Sequence, residues 1–191
     1  MKRTFNSMAI LLIAVMAFLA ACSKSDSPKV DDRPEPTTGT WEFAGQTYTK
    51  VQSTQDMQSP PGAGGDLVVI VITTSETADT HGAFSGSALT ISFPKGQGEG
   101  TYKLATSADV AVIKGSKIMN ITCVIGTATN TGSTSYTTVA ELNEKAELTI
   151  DDNGKYHITL KDPVTLKKQL DVNGGVDGAE STYSLSFENL D

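Results

Sequence analysis

The sequence predicts an all-β domain, an antiparallel sandwich or flattened barrel of roughly ten to twelve short strands. Three observations point there. Apolar residues recur at every second position through much of the chain after residue 40, short segments of Gly, Asn, Asp or Pro separate these runs, and Thr and Val are frequent. No stretch after residue 40 holds the three- and four-residue apolar spacing of a helix.

Taken in order, "TWEFAGQTYTK" from Thr40 reads as a hairpin turning at Ala44-Gly45, which sets Trp41 across from Tyr48 as an aromatic pair for the core. Trp41 shares its phase with Phe43. Leu67 to Ile72 is a continuous aliphatic run, as expected of a central strand covered on both faces. Leu89, Ile91 and Phe93 then share one face, Thr101 to Leu104 form a short strand, and Met119, Ile121, Cys123 and Ile125 share another face. Cys123 is thereby placed among apolar neighbours as a buried, inert thiol. Thr127 to Thr138, rich in Thr, Ser, Asn and Gly, reads as a polar loop or edge strand that offers a contact surface.

"DDNGK" at 151 to 155 joins two further strands. A two-residue Asn153-Gly154 loop would set Ile150 against His157, apolar against polar. A three-residue loop of Asp152, Asn153 and Gly154 instead pairs Ile150 with Tyr156, Leu148 with Ile158 and Ala146 with Leu160, and keeps one face apolar throughout. The second register is expected, with Gly154 left-handed. Tyr183, Leu185 and Phe187 supply the last alternating strand.

The N-terminus follows a different pattern. Lys2 and Arg3 precede 14 uncharged residues, Met8 to Ala21, and the small Ala20 and Ala21 stand before Cys22. That is the layout of an export signal, and the run is shorter than the roughly 20 residues a spanning helix needs. Leu19-Ala20-Ala21-Cys22 resembles the signal of bacterial lipoproteins. The resemblance implies that residues 1–21 are a signal peptide and that Cys22 becomes the lipid-bearing first residue, with diacylglycerol on its thiol and an acyl chain such as palmitate on its amine. Several acyl chains on one residue hold firmly, at about 0.8 kcal/mol per buried methylene. Ser23, where such lipoproteins of the inner membrane carry aspartate, implies the outer membrane. Ser23-Lys24-Ser25-Asp26 resembles the tags of surface-exported lipoproteins in Bacteroidetes, so both the periplasmic and the cell-surface face stay open. Residues 22–39, polar and carrying Pro34 and Pro36, read as a flexible tether, and 40–191 as a single all-β domain.

Removing Lys2 and Arg3 with the signal leaves 13 basic against 22 acidic residues, a charge of −9. Such a chain repels phosphate backbones on average, which excludes nucleic acid as a partner. His81 and His157 lack a second His or Cys at ligand spacing, so no metal or cofactor is expected of them. Ser92-Phe93-Pro94-Lys95 matches S-x-x-K only by chance, because Pro94 disfavours the helix that motif opens. The glycine-rich "PPGAGG" at 60–65 and "KGQGEG" at 95–100 precede strands rather than helices, so they read as loops and not as phosphate cradles. "DVNGGVDGAE" presents Asp171, Asn173, Asp177 and Glu180, but Val176 stands where the EF-hand template requires glycine. An acidic hairpin loop is the simpler reading; calcium there stays open.

"GTWEF" at Gly39 to Phe43 resembles the G-x-W start of lipocalin-type barrels. "TWEFAGQTYT", "LTISFP", "GTYKL" and "NGKYHITL" resemble segments of small β-rich lipoproteins of unassigned function in Bacteroidetes, which implies fold and location but no activity. Three functions follow as expectations. The first is a non-catalytic binding or structural β domain held at the outer membrane by its lipid, with a glycan or protein as its ligand. The second is a glycan-binding accessory protein of a surface uptake system, which requires exposed aromatic rings. The third, a hydrolytic enzyme, requires a clustered acid and base, and none is visible in the sequence.

Overall fold

The computed structural model describes residues 39–60, 62, 64–74, 87–127 and 132–191. The signal-like segment, Cys22, the tether up to residue 38 and His81 lie outside the described residues. The twelve strands are β1 (Thr40–Phe43), β2 (Gln46–Thr49), β3 (Gln52–Gln58), β4 (Leu67–Thr73), β5 (Ser87–Pro94), β6 (Gly100–Leu104), β7 (Ile118–Thr127), β8 (Gly132–Thr138), β9 (Lys145–Ile150), β10 (Tyr156–Thr159), β11 (Val164–Val172) and β12 (Thr182–Phe187). Among the described residues, one short helix, α1 (Ser107–Val112), lies between β6 and β7, and one 3-10 turn spans Ala140–Leu142.

All twelve strands belong to one curled sheet, a half-barrel in form. Neighbours run β10-β9-β6-β7-β8-β11-β12-β1-β2, and a branch from β7 continues through β5 and β4 to β3. Every pair is antiparallel except β6 with β7. The β2 end of the path and the β3 end of the branch meet in the chain itself, because β2 and β3 are consecutive. Lys50 N–H donates to Gly39 O on the β1 side at 2.9 Å, and Val51 N–H donates to Thr73 O on the β4 side at 2.9 Å. Successive residues of an extended chain present their amides to opposite edges, so one strand serves both.

Alternation sends one face of each strand inward. Trp41, Phe43, Ile70, Ile72, Leu89, Ile91, Phe93, Met119, Ile121, Cys123, Leu148, Ile158 and Leu185 form one buried cluster. Leu67, Val69, Ala105, Val110 and Ile118 form a second, on the other face of β4, where α1 covers it. The aliphatic run 67–72 is thus covered on both faces, as its composition predicts.

The first hairpin turns at Ala44 and Gly45, both at positive φ (52° and 72°), and Trp41 pairs with Tyr48 in a stacked contact at 5.6 Å. In the β9–β10 hairpin Ile150 pairs with Tyr156 and Leu148 with Ile158. Asp151 N–H donates to Lys155 O and Gly154 N–H to Asp151 O, which closes a three-residue loop with Gly154 at φ 80°.

Two parts of the sequence reading need correction. Gly132–Thr138 is neither a loop nor an edge strand: β8 pairs with β7 on one side and β11 on the other, and Ser133, Thr134, Tyr136 and Thr138 are buried. Hydroxyls tolerate that position because they find partners there, Thr134 Oγ1 donating to Asp171 and Thr138 Oγ1 to Ala105 O. Helix α1 was also missed. Six residues are too few for apolar periodicity to show, but Thr106-Ser107-Ala108-Asp109 is a capping box: Asp109 N–H donates to Thr106 Oγ1, and Thr106 N–H to the Asp109 carboxylate.

Polar side chains seal two gaps in the sheet. Gln55 on β3 reaches Tyr156 on β10, Nε2 donating to Tyr156 O at 2.9 Å and Oε1 accepting from Tyr156 N–H at 3.0 Å, as a strand backbone would. At the fork where β7 leaves β6 for β8, Asn120 Nδ2 donates to Ala105 O and to the hydroxyls of Thr137 and Thr138.

Two substitutions test these elements by urea denaturation. Gly154→Val should cost about 1–2 kcal/mol through left-handed strain, and an unchanged midpoint would place the turn in another conformation. Gln55→Ala leaves both polar groups of Tyr156 without their partner, and should cost about 1–3 kcal/mol. A loss below half that range would mean that water replaces the amide.

Candidate functional site

Three loops meet at one end of the sheet. After β3, Ser59 Oγ donates to Asp66 Oδ1 at 2.7 Å, and Lys95 N–H donates to Asp66 O at 3.0 Å, which ties the loop before β4 to the turn after β5. Gly64 N–H donates to Ala111 O at 2.7 Å and ties the same loop to the end of α1. The three enclose an open cleft of about 350 Å³. Leu67, Val110 and Ala111 give it apolar lining, while Asp66, Lys95 and Lys114 supply its charges. The two glycine-rich stretches that the sequence presents as separate loops therefore border one space.

Glycine is needed at position 64 because a Cβ there would lie 2.9 Å from both Lys114 Cγ and Val112 O. The Lys114 stem thus crosses the Gly64 backbone. Gly96 takes φ 82°, which suits the tight turn carrying Lys95. Among the described residues neither Lys95 nor Lys114 forms an ion pair. Ile113, 41% exposed, adds apolar surface to the lining. A second open cleft of about 370 Å³ lies between the β1–β2 turn and the β12 face, lined mainly by polar groups such as Glu42, Gln46, Thr47 and Ser186.

The candidate reactive groups lie elsewhere. Cys123 is fully buried beside the Ser87 hydroxyl at 3.3 Å, and burial pushes its thiol up to about 12 against the weaker opposing effect of that hydrogen bond. It is an inert thiol. His157 Nε2 lies 3.6 Å from Asp151 Oδ2, while its Nδ1 is buried without a hydrogen bond. The Asp151 carboxyl is held below the usual range chiefly by the backbone N–H of Lys155, then by that of Asn153. Neither contact brings a hydroxyl or thiol nucleophile to the imidazole. Ser92 lies in β5 and Lys95 in the turn after it, so S-x-x-K has no helix.

Trp41 is 1% exposed and donates Nε1–H to Ser87 Oγ at 3.3 Å, and Tyr102 and Tyr136 are buried as well. None of these three rings can serve as a stacking platform for a sugar. Of the acidic 171–180 segment, Asp171 lies in β11 rather than in a loop, and its carboxylate accepts from the Thr134 hydroxyl at 2.7 Å and faces Lys168 at 3.8 Å. Among the described residues no three His, Cys, Asp or Glu side chains converge as a metal site would.

One charged group escaped the sequence reading. Lys50 is 3% exposed, and its ammonium bonds the Asp191 carboxylate, which also pairs with Lys155. Burial holds the Lys50 ammonium below its usual pKa. A lysine within "TYTKVQ" carries no local sign of this, since its partner lies 141 residues away.

Comparison of the chain with family models, with curated proteins and with solved structures finds no match.

Burial of Cys123 makes a pH prediction. A thiol raised by folding stays protonated in the native state while the unfolded chain ionises near 8.5, so its stabilising contribution is complete below that pH and is lost as pH rises toward 12. Above pH 9 the wild type should lose about 1.4 kcal/mol per pH unit more than Cys123→Ala. Parallel stability curves between pH 8 and 10.5 would show that the thiol is not shielded.

Proposed function

We propose that this chain is a lipid-anchored outer-membrane protein whose β domain binds a ligand and does not catalyse. The anchor rests on the sequence: the uncharged run from Met8, too short to span, ends in Leu19-Ala20-Ala21-Cys22. The binding role rests on one observation, the cleft between the loops. Its walls are backbone, aliphatic side chains, Asp66, Gln97 and two lysines that form no ion pair among the described residues, a lining suited to holding a molecule. Among the described residues, Cys123 and His157 both stand outside that lining. On this reading the tether from Cys22 sets the domain's distance from the lipid, and the closed sheet holds the cleft in shape.

The anchor is tested by mass spectrometry of the N-terminal peptide and by membrane fractionation. The peptide should begin at Cys22 with diacylglycerol and an amide-linked acyl chain, and Cys22→Ala should leave the membrane fraction. An unmodified Cys22 with the wild type in the soluble fraction would overturn it.

A further inference from the structure

We propose that the cleft formed by Gly64, Asp66, Lys95 and Lys114 binds a small organic anion, a carboxylate or phosphate head on an apolar body. This deepens the binding role above and rests on it. The chain carries a net charge of −7, yet the charged residues lining this cleft are two lysines and one aspartate. Its sign is therefore opposite to that of the molecule as a whole. Asp66 is partly engaged, its Oδ1 accepting the Ser59 hydroxyl, whereas neither lysine has an acidic partner among the described residues.

Lys95 and Lys114 both line the cleft, and an anion held there gains charge-assisted hydrogen bonds from an ammonium group. The fold also holds at least one of them in place. Lys114 is pressed over Gly64, whose amide is fixed to Ala111 O. The lining also includes Ile113, 41% exposed, which gives an apolar body somewhere to leave water, together with the buried Leu67, Val110 and Ala111. Inorganic phosphate would satisfy the head alone and leave that surface wet. A volume of about 350 Å³ suits a ligand of a single ring or a short chain rather than a polymer.

The test uses the purified lipoprotein in lipid nanodiscs with labelled methyl groups, titrated with phenyl phosphate, benzoate, benzyl alcohol and inorganic phosphate. The Leu67, Val110 and Ile113 methyls should shift saturably with phenyl phosphate and benzoate, and those of the buried Ile70 should not. Binding of the better anion should be at least tenfold tighter than that of benzyl alcohol, and its rank against the other names the preferred head group. Lys95→Ala with Lys114→Ala should remove that tenfold advantage and leave benzyl alcohol unchanged, with the Ile70 methyls confirming that the variant is folded. The proposal is overturned if no saturable shift occurs, if the uncharged alcohol or inorganic phosphate binds as well as the better anion, or if the double variant keeps the preference. Recovery of phenyl phosphate intact agrees with a non-catalytic domain. Its hydrolysis would instead defeat that broader reading while leaving the site in place.

Discussion

Everything in this fold depends on one change of partner, at Lys50 and Val51. Before that point the strand bonds β1, and after it the same strand bonds β4. A sheet whose two ends were separate strands would expose two long unpaired edges, a standing invitation to aggregation. Here the backbone is the join. The cost is that Lys50 sits 3% exposed, and a buried ammonium without a counter-charge is strongly unfavourable. Asp191 supplies that charge, brought in by Leu190, whose backbone pairs with Ile158 on β10. Gly39 lets the segment approach, since a Cβ there would lie 2.8 Å from Leu190 Cδ2.

The second constraint is the fork at β7. Its first residues pair with β6 and its later ones with β8, so between them the edge has no continuous neighbour. Asn120, 3% exposed, and Thr138 fill the interval with hydrogen bonds to Ala105 O and to each other. A buried polar network of this kind stabilises only when every member is satisfied. It also fixes Ala105, from which the chain enters Thr106 and α1. The cleft is thus positioned from two directions: by the β4–β5 pairing that carries Leu67 and Pro94, and by the fork that places the helix.

What the sequence made legible was whatever a few adjacent residues decide. Both hairpin registers could be read, because turn glycines and face matching at 41–48 and 148–158 are local. The inward set of β5 and β7 could be read for the same reason. The pairing of β1 with β12, and of β6 with β7 in parallel, has no local signature. Polarity misled at 132–138, where burial is set by the flanking strands and hydroxyls bond within the sheet. Of the cleft, only its glycine loops were visible, and separately. Its lysines gained meaning when residues about 20 to 50 positions apart converged on α1, whose capping box was the one overlooked sign. Buried Lys50 could not have been found from its neighbours at all.

With the sheet joined at Lys50 and Val51 and three described loops tied together at one end, the fold holds those loops in a fixed arrangement. That rigidity stands or falls with the join. Native-state hydrogen exchange of the Lys50 and Val51 amides measures it directly. If the join holds the sheet together, both amides open only with global unfolding, and their exchange free energies follow the denaturant dependence of the Ile70 and Ile121 amides in the core. If instead Lys50 and Val51 exchange through small, denaturant-independent fluctuations while the core stays protected, the strand crossing is a frayed edge and the account of the closed sheet is wrong.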